Sequence, residues 1–307
     1  APWPDMEALM RANDVTLFSL ETYSALREFD IAGFTLQYEM SYSNVLNMLD
    51  LGGIPLKASE RGEDMPLIVA GGPCAFNPEP LADFLDVVLL GDGEEAAPKL
   101  VETYRRNRDL PKDELLAVIA NEVPGAYVPR FFTPAYRPDG RVESVKPNRE
   151  GVPARVRKAV VRDLDAAPFP SEIILPYMKI VHDRVTLELF RGCTRGCRFC
   201  QAGYIYRPVR ERELETLEKQ ACASLASTGY EEISLSSLSS GDYPHLGRLI
   251  TGLVEEHGEK GVSVALPSLR IDSFVRGYAD QMRRVRKTGL TFAPEAGSQR
   301  LRDVINK

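Results

Sequence analysis

The 307 residues exceed one ordinary globular domain and suit two. With 44% hydrophobic and 27% charged residues, the composition excludes a disordered tail, a fibrous repeat and a coiled coil. The net charge of −6 conceals an asymmetry: residues 1–100 hold 17 acidic against 5 basic side chains, a balance of −12, and the other 207 residues carry +6.

The chain opens without an initiator Met and runs into Lys307 from a helical-looking segment, so a piece of a longer protein is expected. Pro4-Asp5-Met6-Glu7 starts a helix with Met6, Leu9 and Met10 on one face. Residues 29–36 read as a strand, and 41–51 as a helix stopped by Gly52-Gly53. Pro66–Ala70 and Asp86–Leu90 are short apolar strands, each running into glycines: Gly71-Gly72, and Gly91-Asp92-Gly93 with a helix from Glu94. Short continuous apolar strands separated by helices predict a parallel sheet with both faces covered.

Helical patterning stops from 124 to 176. Residues 126–128 and 141–143 flank the turn Arg137-Pro138-Asp139-Gly140 and predict a hairpin, followed by a basic extended stretch and a proline-punctuated connector. From 177 the alternation resumes. Strands are expected at 185–190, 232–235, 262–266 and 290–293, with helices at 214–226, 245–257, 275–286 and from about 298. Four successive βα units fit a doubly wound sheet or part of a βα barrel. The expected organisation is therefore an α/β domain at 1–123, a hairpin and connector at 124–176, and a second α/β domain at 177–307.

Cys193, Cys197 and Cys200 are spaced C-x-x-x-C-x-x-C directly after the strand at 185–190, with Gly192 and Gly196 letting the backbone curl. Thiolates select zinc, copper or iron–sulfur clusters. Structural zinc wants four closed ligands, and no fourth Cys or His lies nearby in sequence. Three thiolates on one loop suit a 4Fe–4S cluster with one iron left open to a small molecule. Five cysteines, three of them clustered, also predict metal chemistry in a reducing compartment rather than a disulfide scaffold.

This motif, with the aromatic Phe199 before its last Cys, resembles the signature of the radical S-adenosylmethionine (SAM) superfamily. The resemblance implies a partial βα barrel in which the three cysteines ligate a 4Fe–4S cluster. It also implies that SAM chelates the open iron and is reductively cleaved to a 5′-deoxyadenosyl radical, with a flavodoxin or ferredoxin as electron donor. It assigns Phe199 to the adenine, Ser240, Gly241 and Asp242 to the methionyl amine, Arg270 to the methionyl carboxylate, and Glu295 with Ser298 to the ribose side. Tyr206 to Arg212 has two readings, an anion-positioning segment or a helix entry with solvated arginines.

The first domain, through Gly33–Glu39, Ala70-Gly71-Gly72-Pro73 and Gly91-Asp92-Gly93-Glu94-Glu95, resembles the cobalamin-binding domain that precedes such barrels in an uncharacterised bacterial family. The resemblance implies a partial Rossmann-like unit before an incomplete radical SAM barrel of the TIM type. Thr35, Leu36, Gly71, Gly72, Gly91 and Gly93 are the implied cobalamin-side residues. The axial-histidine loop is absent, however, and residues 1–181 contain no His. Three functions remain open: a radical SAM enzyme such as a cobalamin-assisted methyltransferase, an RNA-modifying enzyme of methylthiotransferase type encouraged by the basic second half, and a zinc-stabilised nucleic-acid-binding protein without catalysis. No apolar run approaches the ~20 residues that span a bilayer, and no secretory leader is visible. A cytoplasmic protein without membrane partners is expected.

Overall fold

The computed structural model describes residues 2–178, 180–267, 269–270, 280, 282, 285–286 and 292–307. The contacts divide the chain into two units, Ala1–Val161 and Arg162–Lys307.

In the first unit, strands β1 (Ile31–Thr35), β2 (Leu67–Gly71) and β3 (Val87–Leu89) are parallel, and β4 (Ala126–Tyr127) closes the edge antiparallel to β3. Helices α1 (Pro4–Ala12), α2 (Tyr42–Leu51), α3 (Gly93–Asn107) and α4 (Lys112–Glu122) accompany them. The apolar run of β2 has no polar face because both faces are covered. Ile68 and Ala70 pack in one core with Val45 and Leu49 of α2, while Leu67 and Val69 pack in a second with Leu100, Leu116 and Ile119 of α3 and α4. Of the expected α1 face only Met10 is buried; Met6 and Leu9 are exposed.

A buried ionic knot holds the amino ends of β2 and β3. Asp86 accepts from the Ile68 amide at 2.8 Å and from Arg61 at 2.9 Å, with the Lys112 ammonium 3.2 Å from its other oxygen. Arg61 also donates to the Pro55, Leu56 and Phe84 carbonyls, so this buried cation is both paired and hydrogen-bonded.

The hairpin predicted between 126–128 and 141–143 forms instead from β5 (Phe132–Tyr136) and β6 (Val142–Pro147), around the expected turn at Arg137–Gly140. Residues 126–127 are drawn into the sheet because β3 offers them an open edge. The extended basic stretch after the hairpin returns to β3: Ala159 bridges Gly91 in parallel, its amide donating to Leu90 at 2.8 Å.

The second unit is built on a parallel sheet in the order β11 (Ser263–Ala265), β10 (Glu232–Ser236), β7 (Val185–Glu188). The predicted strand at 185–190 breaks at Leu189. Beyond it, β8 (Phe190–Arg191) pairs antiparallel with β9 (Arg210–Glu211). Helices α5 (Ala202–Ile205), α6 (Leu214–Thr228), α7 (Leu246–His257) and α8 (Gln299–Ile305) complete the described elements. Val185, Leu187, Ile233 and Leu235 of the strands pack with Leu217 and Ala221 of α6 and Leu249, Ile250 and Leu253 of α7. The helix expected at 275–286 and the strand expected at 290–293 fall mostly outside the described residues; Phe292 makes a parallel bridge to Leu269. Both units are thus α/β, and the described barrel-type strands are fewer than the eight of a closed βα barrel.

Candidate iron–sulfur and cofactor site

The cysteine loop leaves the carboxyl end of the sheet. Glu188, the last residue of β7, accepts two hydrogen bonds from the Arg191 guanidinium, both at 2.9 Å. Gly192 then adopts φ +96°, and a Cβ there would lie 2.6 Å from the Pro208 carbonyl oxygen and 2.8 Å from that of Tyr206. Only glycine permits this crossing, which together with the β8–β9 pair cinches residues 191–211 into a closed loop.

All three loop cysteines are free thiols of intermediate exposure. The Cys200 amide turns back to the Cys197 carbonyl at 3.0 Å. Cys193 Sγ accepts from the Arg195 amide at 3.4 Å, and Cys197 Sγ from Arg270 Nη1 at 3.7 Å. Among the described residues the three sulfurs do not all lie within 4.8 Å of one another. A tetrahedral zinc with ~2.3 Å bonds would hold its sulfurs ~3.8 Å apart. The trio is more widely spread than a single ion requires.

Residues that follow β10, β11 and the Phe292 bridge gather near this loop. After β10, Ser240 is fully buried and commits its hydroxyl to the Leu235 carbonyl at 3.1 Å, which fixes the turn carrying Gly241 and Asp242. Asp242 receives both Nε, at 2.8 Å, and Nη2 of Arg195 from the cysteine loop. That guanidinium holds the carboxyl below its ordinary range. After β11, Arg270 reaches Cys197. Beyond Phe292, Glu295 at φ +65° meets the Lys307 ammonium at 3.3 Å, and the same ammonium sits 5.9 Å from the centroid of the half-exposed Phe199 ring.

Ser298 is the N-cap of α8, its hydroxyl accepting from the Leu301 amide at 3.3 Å. The other end of α8 is docked on the cysteine loop. Asn306 Nδ2 donates to the Arg195 carbonyl at 2.9 Å and the Gly196 carbonyl at 3.1 Å, and the Arg198 amide donates to Ile305 at 3.0 Å.

Of the two readings of residues 206–212, solvated arginines fit the exposed Arg207 but not Arg210 and Arg212. Arg210 and Arg212 are buried and spend their guanidinium groups on backbone carbonyls, Arg210 on Pro208 and Tyr206, both at 3.1 Å, and Arg212 on Leu164. Arg207 stays at the site, stacked 4.8 Å over Tyr204 with Nε 3.4 Å from the Cys193 carbonyl. Arg195, Asn306 and Lys307 were not among the expected site residues. Arg195 sits inside the cysteine motif, where a basic residue between two anionic ligands was an available signal.

In the first unit two of the candidate glycines are required by neighbouring backbone. A Cβ on Gly72, at φ +98°, would lie 2.9 Å from the Leu36 carbonyl oxygen, and one on Gly91, at φ +105°, only 2.1 Å from that of Ala159. Leu36 is a core residue. Thr35 is exposed and Gly71 half-buried, and Gly93 has open space where a side chain would go.

The second unit is thus an α/β domain with a three-cysteine loop at the carboxyl end of its parallel sheet. The family model described as radical SAM proteins, N-terminal, matches residues 1–129, and that of the radical SAM superfamily matches 187–307. The chain belongs to the radical SAM superfamily. An uncharacterized protein of Methanocaldococcus jannaschii is 31% identical over 297 residues, 96% of this chain and 56% of that protein. The hopanoid C-3 methylase of Methylococcus capsulatus is 30% identical over 231 residues, covering 69% and 38% of the two chains. The chain thus spans about half or less of the length of these relatives. Among solved structures, the radical SAM methyltransferase TsrM from Kitasatospora setae, with tryptophan substrate and a SAM analog bound, superposes at a TM-score of 0.54 with 15% identity. The match covers 97% of this chain and 53% of that one. A second structure of TsrM, with cobalamin and a 4Fe–4S cluster bound, gives 0.53 at 14% identity, over 92% and 49% of the two chains. At that identity the likeness is one of fold.

Proposed function

We propose that the second unit binds a 4Fe–4S cluster through Cys193, Cys197 and Cys200 with SAM at the open iron, and that the whole protein is a radical SAM enzyme of methyltransferase type. The observation that carries this reading is the trio of part-exposed thiols on one cinched loop, touched by N–H donors from Arg195 and Arg270. Such donors stabilise thiolate charge and tune a cluster's potential. The bound cluster, reduced by a flavodoxin- or ferredoxin-like donor, would supply the electron that breaks a sulfonium bond of SAM.

The chain's own residues would orient and shield that cofactor. Arg270 offers a cation to the methionyl carboxylate and Asp242 an anion to the amine, with Arg195 keeping Asp242 ionised. Glu295 is placed for hydroxyl groups, and the exposed face of Phe199 for a purine. Ser240 and Ser298 act one step back, fixing the Asp242 turn and the α8 start. Methyl transfer is favoured over other outcomes because the hopanoid methylase and TsrM are both methyl-transferring by description. The first unit does not present a fitted cobalamin site: Gly72 and Gly91 are required by neighbouring backbone, and no imidazole exists in residues 1–181.

Anaerobic reconstitution with iron and sulfide, followed by SAM and a reductant, tests the reading. The expected result is cluster formation with SAM consumption, the products identifying radical cleavage or methyl transfer. A protein that takes up no cluster iron and leaves SAM intact would contradict it.

A further inference from the structure

Away from the cysteine loop, the second unit gathers three metal-capable side chains that the proposed function does not use. Cys222 lies in α6, and Glu256 and His257 end α7. Cys222 Sγ is 3.1 Å from Glu256 Oε1 and 3.6 Å from His257 Nε2, and that nitrogen is 3.8 Å from Glu256 Oε2. Among the described residues this is the one set of three such ligand atoms lying mutually within 4.8 Å.

The spacing can be compared with bond lengths. Zinc at ~2.3 Å from sulfur and ~2.0–2.1 Å from nitrogen and oxygen, at tetrahedral angles, requires ~3.6 Å between sulfur and either other atom and ~3.3 Å between nitrogen and oxygen. The sulfur–nitrogen separation of 3.6 Å equals the required one, and one carboxylate oxygen lies within 4.8 Å of both other atoms, a distance that rotation of the exposed Glu256 side chain closes. Thiolate, imidazole and carboxylate together suit zinc, whereas calcium and magnesium want oxygen alone. The burial is graded: His257 is buried, Cys222 intermediate and Glu256 exposed, so an ion here would keep a solvent-facing position.

Location separates this cluster from the chemistry. His257 ends α7 shortly before β11 begins, on the amino-terminal side of the sheet, whereas the cysteine loop leaves the carboxyl end of β7. In βα folds the amino-terminal side carries stability rather than catalysis.

We infer that Cys222, Glu256 and His257 form a second, zinc-class site that staples α6 to α7, with its fourth position open to solvent. Zinc titration of the full chain against a chromophoric chelator tests it, comparing the unaltered protein with Cys222→Ser and Glu256→Gln. These two substitutions are near-isosteric and spare the buried His257. The expected result is one zinc per chain whose affinity falls at least about tenfold in each variant. Zinc should also raise the melting temperature of the parent and not of the variants, and magnesium should not compete. Any zinc held at the cysteine loop would be the same in all three proteins, so the readout is independent of what that loop binds. Failure of the parent to bind this zinc, or an affinity in either variant equal to the parent's, would overturn the inference.

Discussion

Cys193, Cys197 and Cys200 share one loop, whereas Cys74 is 7% exposed in the first core and Cys222 lies on α6. Burial pushes the Cys74 thiol up, as it does that of Cys222, so neither is a ready thiolate in the metal-free protein. Alanine at any one of positions 193, 197 or 200 is expected to abolish cluster iron after reconstitution, while Cys74→Ala and Cys222→Ala retain it. Full iron in any of the first three variants would contradict the assignment. The Arg195–Asp242 contact carries a pH prediction. Because Arg195 depresses the carboxyl below 3.8, the stability it contributes is complete above the unfolded value and is lost as pH falls through the lower folded one. Asp242→Asn should therefore cost stability at neutral pH and progressively less as pH falls through the carboxylate range, measured by urea midpoints. An equal cost at every pH would show that the charge is not involved. The spacing of the cysteines was legible in the sequence because a short loop fixes it. The partners were not, since Arg195 meets Asp242 across 47 positions and Asn306 meets Gly196 across 110.

The glycines at strand ends distinguish two demands that look alike in a sequence. Gly91 combines φ +105° with a would-be Cβ contact of 2.1 Å, while Gly93 opens α3 with nothing within 4 Å. Gly91→Ala is expected to cost about 1–3 kcal/mol or more in thermal or urea denaturation, and Gly93→Ala to be neutral or stabilising by up to about 1 kcal/mol. If Gly91→Ala left stability unchanged, its role would be toward a ligand and not toward Ala159. The ionic knot offers a second test within the first unit. Asp86→Ala leaves Arg61 and Lys112 buried without their anion and should cost about 3–5 kcal/mol by denaturation; a loss below about 1 kcal/mol would mean that water replaces the carboxylate. Strand β2 was readable as a short apolar run because its two faces are buried, whereas β7, with exposed Thr186, was readable from its alternation. The edge strand β4 was misread because two residues carry no periodicity, and only the open side of β3 determines where they pair. Arg210 and Arg212 were misread for a related reason: arginines whose charge is spent on buried carbonyls look in sequence like solvated ones.

At the scale of the whole chain, the charge asymmetry changes meaning once the units are known. Divided at 161/162, the balance is −8 for the first unit and +2 for the second, because residues 101–161 supply much of the basic excess and pack with the first unit. The argument from a basic second half toward an RNA substrate therefore loses its footing. Among the described residues no helix is long and apolar enough to cross a membrane. For cobalamin, hydroxocobalamin titration is expected to show weak binding without imidazole coordination from the first unit, since residues 1–181 hold no His. Tight binding with spectral signs of histidine on cobalt would require His182, His245 or His257 and would contradict that expectation. The central claim is that the cysteine loop holds a cluster with one iron open to SAM. Electron paramagnetic resonance of the anaerobically reconstituted, reduced protein, recorded with and without SAM, tests it most directly. A reduced 4Fe–4S signal that shifts on adding SAM is the expected result; absence of a cluster signal, or a signal that SAM leaves unchanged, would contradict it.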